Sequence, residues 1–188
     1  MLRRDCEIRD EKMRLLLFIA ASLLCVNSLA EIGRVTGLPI PRFVSFKAKS
    51  TNVRSGPSNQ HPVKWVYHRK GYPVKVVAEF EHWRKINDID GEDGWVHEAM
   101  LSGVRYVVVI KNVVGGIMAA KQPASELFLF RKASVDSPAL ARMQIGSVCA
   151  LKECKVEWCK VNCQNHVGWV LKENVWGVGS SDVNMRYK

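Results

Sequence analysis

The most reactive side chains in this 188-residue chain are six cysteines, and four of them crowd one short stretch: Cys149, Cys154, Cys159 and Cys163. Clustered thiols can form disulfides, hold zinc, or supply a nucleophile. Zinc sites favour two tight knuckles with two to four residues between ligands, whereas the spacing here is C-x4-C-x4-C-x3-C. A nucleophile needs a base beside it in space; His166 is close in sequence, but four neighbouring thiols do not single one out. Disulfides fit the geometry of an antiparallel hairpin with arms Leu151–Cys154 and Cys159–Val161. Paired residues in such a hairpin have numbers of constant sum, and the sums are 313 for Cys154 and Cys159 and 312 for Cys149 and Cys163. A single β-bulge on the first arm accounts for the difference, and it also brings Cys149 onto the face of Cys154. The expected pairs are Cys154–Cys159 and Cys149–Cys163.

Other reactive constellations are sparse. The chain has no nucleotide-cradling glycine loop, no zinc-protease helix motif and no serine nucleophile elbow. Glu79, Glu81 and His82 gather beside Trp83, where a hairpin tip is expected, and should be solvated. Asp88, Asp90, Glu92 and Asp93 lack the order of a calcium loop and read as a solvated turn. Trp65 and Tyr67, two apart on a strand, point the same way amid Lys64, His68, Arg69 and Lys70. They form either a platform for a sugar, proline or peptide ring or a surface buried by a neighbouring module. Neither catalysis nor a metal nor a cofactor is expected.

The elements that must carry these residues repeat. Gly71 precedes Trp83 by 12 residues, and Gly146 precedes Trp158 by the same interval. Each Trp leads to a Gly-Trp-Val, at Gly94–Val96 and Gly168–Val170. Val53-Arg54 and Phe130-Arg131 stand upstream at comparable places. Trp83, Trp95, Trp158 and Trp169 recur with the repeat, so most are expected in a core. Short, β-branched and aromatic strands with turn signals between them, about five per unit, can bury a core only by curling into a small barrel. The expected fold class is all-β: two small, partly open barrels in tandem, preceded by a helical signal peptide. The boundaries read as 1–30 for the signal, 31–43 for an extended lead-in, and 44–112 for the first barrel, closed by the run Arg105 to Ile110. A linker at 113–125, the second barrel at 126–179 and a frayed tail at 180–188 complete the chain.

Leu15 to Val26 is an apolar run of 12 residues, too short for a bilayer span of about 20. Lys12 and Arg14 precede it and Ser28-Leu29-Ala30 follows, which suits export and cleavage after Ala30. Four acidic residues before Met13 make Met13 the better start. Cleavage leaves no stable membrane span. The formal net charge is +10, and a basic surface attracts polyanions. Outside the cytoplasm these are wall polymers, headgroups or acidic proteins, not nucleic acid. Periplasmic or secreted localisation follows, and it agrees with disulfides.

The run RFVSFKAKSTNVRSGPS, from Arg42 to Ser58, resembles the opening of bacterial SH3-like domains, whose N-V-R-x-G-P hallmark spans Asn52 to Pro57. KWVYHRKGYPVKVVAEFEHWRKI, DGWVHEAMLSG and the cysteine-bearing run from Ile145 to Val178 are similar to tandem SH3-like proteins exported by alphaproteobacteria. The resemblance implies partly open barrels of five to seven strands and a recognition role for peptidoglycan or a peptide of another envelope protein. The alternative is a structural or interaction protein that binds only another envelope protein. The first repeat is the closer match, and Phe130-Arg131-Lys132-Ala133 departs from the hallmark. Ligand binding is therefore expected on the first barrel, through Arg54, Ser55, Asn59, Trp65, Tyr67, His68, Trp83 and His97.

Overall fold

The structure, a computed structural model, describes residues 31–111, 127–179 and 182–187. The expected signal peptide and the expected linker lie outside the described residues. Two seven-stranded antiparallel sheets account for nearly all the rest. The first contains β3 (Arg42–Phe46), β4 (Thr51–Arg54), β5 (Val63–Tyr67), β6 (Pro73–Phe80), β7 (Trp83–Asn87), β8 (Asp93–His97) and β9 (Leu101–Ser102). Its order is β5-β4-β8-β7-β6-β3-β9. The second contains β10 (Tyr106–Val109), β11 (Leu127–Phe130), β12 (Ala139–Met143), β13 (Val148–Cys154), β14 (Trp158–Cys163), β15 (His166–Leu171) and β16 (Val175–Trp176). Its order, β12-β11-β15-β14-β13-β10-β16, repeats the first element for element. Each sheet curls around its own core: Phe46, Val53, Val74, Val76, Ile86 and Val96 in one, and Val107, Leu129, Leu151, Val161 and Val170 with the cysteines in the other. The fold is the expected pair of small barrels.

The phase of the repeat differs from the expected boundaries. Tyr106–Val109 does not close the first barrel. It pairs with Val148–Ala150 and with β16, so it is the first strand of the second barrel. Arg105-Tyr106-Val107 thus answers Arg42-Phe43-Val44, and the first barrel begins at Arg42, inside the expected lead-in. The correspondence of Phe130-Arg131 with Val53-Arg54 is also shifted by one. Arg54 pairs with Trp95 and Phe130 pairs with Trp169, each just after an identical register shift. Phe130 therefore stands where Arg54 stands.

The repeated Gly-Trp-Val has a steric cause. β8 and β15 cross β4 and β11 so closely that a Cβ on Gly94 would lie 2.3 Å from Val53 Cγ1, and one on Gly168 would lie 2.7 Å from the Phe130 carbonyl. Gly168→Ala should cost about 2 kcal/mol by overpacking, read as a lower urea midpoint at unchanged slope. The four repeated tryptophans divide: Trp83 and Trp158 are buried, while Trp95 and Trp169 are half-buried. Lys155 and Lys160 lie over the Trp169 ring, 4.7 and 6.0 Å from its centroid.

Both disulfides form as expected, with Cα separations of 4.5 Å for Cys149–Cys163 and 4.1 Å for Cys154–Cys159. The bulge falls at Lys152, between the Leu151–Val161 and Glu153–Lys160 pairs. The first barrel has the same bulge at Val77. Aligning the bulges puts Glu79 where Cys154 stands and Arg84 where Cys159 stands. One cross-strand position thus holds a disulfide in one barrel and an ion pair in the other, with Arg84 Nε 3.8 Å from Glu79 Oε1.

Glu79 is consequently not a solvated tip residue. Its side chain is 1% exposed and pairs with Arg42 at 2.7 Å. The lead-in explains this: β1 (Glu31–Ile32) and β2 (Pro39–Ile40) form a hairpin that brings the Thr36 hydroxyl to 2.6 Å and the Val35 and Thr36 amides to 3.1 and 3.0 Å of the carboxylate. The tail is not frayed over its described residues either. Asn184 and Tyr187 donate amide hydrogen bonds to the Cys154 and Lys152 carbonyls, and Cys154 donates to Met185. Asp182 is buried, ion-paired with Arg105 at 2.7 Å and hydrogen-bonded by the Tyr187 hydroxyl. Burial, with the Asp182 carboxylate that disfavours a phenolate beside it, pushes the Tyr187 hydroxyl up to about 12.

Candidate functional site

A groove of about 330 Å³ opens on the first barrel. β4 supplies Asn52 and Arg54, which lie two apart and so share a face. The following loop supplies Asn59. β7 begins with Trp83, and β8 ends with His97 directly opposite it. Ser50 and Met100 complete the lining.

Local contacts hold the loop, Arg54, Trp83 and His97. The Ser55 amide closes the loop on the Pro62 carbonyl, and the Ser58 amide donates to Gly56. Arg54 Nη1 donates to the His61 carbonyl at 2.7 Å, which ties the guanidinium to the same loop. The His97 ring stands edge-on to Trp83, centroids 5.3 Å apart and planes at 83°. Its Nδ1 accepts the Ala99 amide at 3.2 Å, so Nε2 is the ring's donor. Beside the groove, Glu98 takes His82 Nδ1 at 2.8 Å and also the Arg84 guanidinium. The His82 hydrogen bond, with the Arg84 charge, holds the Glu98 carboxyl below its ordinary range.

Four of the eight expected site residues, Arg54, Asn59, Trp83 and His97, meet in this groove. Ser55 sits on the loop and His68 is exposed beyond β5, both outside the lining. Trp65 and Tyr67 are not an exposed platform. Both pack against the barrel core; Tyr67 stacks on Tyr72 and lies tilted against Phe46, and its hydroxyl donates to Asp88. Burial and that carboxylate raise the Tyr67 pKa. Their counterparts in the second barrel are Ala141 and Met143, opposite Leu129 and Leu127. Ser50, Asn52 and Met100 line the groove without being among the expected residues. Period-two alternation from Arg54 reaches Asn52, but Met100 carries no local signal.

The second barrel has the same ledge with other side chains. Phe130 replaces Arg54, Val135 replaces Asn59, Leu171 replaces His97 and Phe128 replaces Asn52. Phe130, Trp158 and Leu171 form a buried cluster backed by Phe128 and Val135, with Phe130 edge-on to Trp158 at 5.7 Å. Phe130 and Leu171 are thus buried where Arg54 and His97 line the groove. A wider hollow of about 790 Å³ opens instead beside the exposed Val156, lined by Val135, Asp136, Glu157, Trp158 and Arg186.

Among solved structures, NlpC2 from Trichomonas vaginalis is similar at 10% identity and TM-score 0.32, covering 77% of this chain and 51% of that one. NlpC1 from the same organism stands at 9% identity and TM-score 0.32, with 79% and 52% covered. An NlpC/P60 family protein from Bacillus cereus ATCC 10987 stands at 12% identity and TM-score 0.30, with 71% and 55% covered. The chain thus spans about half the length of these proteins. No curated protein matches it. The bacterial SH3 domain family matches residues 47–103 and again 124–177, and the chain belongs to that family, carrying two copies of its domain in tandem.

Proposed function

We propose that this protein is a non-catalytic envelope-binding module that takes a peptide segment, of peptidoglycan or of another envelope protein, in the groove of its first barrel. The observation that carries this reading is the contrast between the two copies. One ledge presents an arginine, a histidine and an asparagine around a tryptophan edge. Its twin buries Phe130 and Leu171 against Trp158 where the first has Arg54 and His97. An open groove with a few convergent polar groups beside an aromatic is how ligand sites are built. Two disulfides suit an oxidising, extracytoplasmic compartment, and the net charge favours retention on an anionic polymer.

Purified cell-wall sacculi test the reading. The protein should be retained at low salt. The double variant Arg54→Phe/His97→Leu carries the residues that the second barrel already accommodates, so it should keep its circular dichroism spectrum. It should lose retention by about tenfold or more, the scale of one lost charge-assisted hydrogen bond. Absence of wild-type retention would remove the wall version and leave an envelope-protein partner.

A further inference from the structure

The groove's lining carries an arginine and two asparagines but no aspartate or glutamate. Glu98, next in the chain to His97, is already engaged by Arg84 and His82. Arg54 spends Nη1 on His61, which orients the planar guanidinium and leaves the rest of its N–H donors for a ligand. His97 has its acceptor nitrogen occupied by the Ala99 amide, so it too offers a donor. We propose that this groove is a carboxylate site: Arg54 and His97 take the carboxylate of a peptide ligand, and Trp83 carries the residue beside it. The proposal rests on the reading of the groove as the ligand site and adds the ligand's chemical class.

Three features favour a peptide carboxylate over a larger polyanion. A planar guanidinium matches a carboxylate two bonds at a time. The groove, at about 330 Å³, accommodates a short stretch of chain and not a polymer face. The Trp83 edge is apolar, which suits a ligand whose charge stands next to a methyl or methylene group. Only one copy of the site exists among the described residues, because Phe130 and Leu171 remove both donors from the second barrel.

The test uses N-acetyl-Ala-Ala and its C-terminal amide as probes, titrated into ¹⁵N-labelled protein. The acid should shift the Trp83 indole and the amides of Asn52, Arg54, Asn59 and His97, with no matching change at Phe130, Val135 and Leu171. It should bind at least about tenfold more tightly than the amide, and Arg54→Phe should abolish the preference. Equal shifts with acid and amide would overturn the carboxylate assignment while leaving the groove reading standing. Silence of the groove resonances with both probes would overturn the groove reading and the assignment with it. Inorganic phosphate displacing the acid at equal concentration would also overturn the assignment, replacing it with a general anion site.

Discussion

Replacing Cys149 and Cys154 together by alanine is expected to unfold the second barrel at 25 °C and leave the first folded. The bonds close nested loops, with sequence separations of 14 and 5. In the chain-entropy account such loops together contribute about 4–5 kcal/mol. That approaches the whole stability of a small domain, about 5 kcal/mol at the low end. Cys149, Cys154 and Cys159 are buried within the core cluster, so the variant also loses packing. Hydrogen exchange resolves the two barrels. Residues 148–171 should lose protection while residues 73–97 keep it. Thiol titration of the parent protein should find Cys149, Cys154, Cys159 and Cys163 reactive only after reduction. A fully reduced protein with an unchanged unfolding midpoint would sink this account.

Glu79→Ala should destabilise the first barrel by about 3 kcal/mol, the usual cost of removing one partner of a buried ion pair. Burial opposes the Glu79 charge. The Thr36 hydroxyl and amide, Arg42 and the Val35 amide outweigh it and hold the carboxyl at about 2, down from 4.5. A depressed carboxyl stabilises the fold above its unfolded value and loses that contribution as pH falls through the folded one. The stabilisation is therefore complete above pH 4.5 and disappears towards pH 2. Asp182 and Glu98 are lowered as well, so only a comparison isolates Glu79. Urea melts at pH 7 and pH 3 should show the parent losing more stability than the variant. Equal losses would mean that Glu79 contributes nothing specific. Removal of Glu79 should also free the hairpin at residues 31–40 for proteolysis, since three of its groups bond that carboxylate.

What the sequence made legible was whatever depends on residue identity at a fixed interval. Trp83 and Trp158, and the glycines of the two Gly-Trp-Val strands, recur because strand crossing and core filling demand them in each copy. The disulfide register was legible because hairpin pairing is arithmetic. The matched strands Arg42-Phe43-Val44 and Arg105-Tyr106-Val107 were misread because a longer connection follows the second, so the interval changes. Glu79 was misread because its partners Thr36 and Arg42 are 43 and 37 residues away, and no local pattern reports such contacts. The groove was half legible. Arg54, Asn59, Trp83 and His97 line it, whereas Trp65 and Tyr67, of the same chemical types, pack on the core that includes Phe46 and Val53, which their spacing alone does not distinguish.

The placement of Tyr106–Val109 has a practical corollary for taking the protein apart. Residues 112–126 contain the expected linker, but they join β10 to β11, which belong to the same sheet. The seam between the barrels is instead the short passage from Ser102 to Arg105. A chain cut within residues 112–126 would strand β10 on the wrong fragment, and the two pieces should hold together through the ladder of β10 with β13 and β16. A chain cut at Gly103 divides the two barrels with every strand in its own sheet.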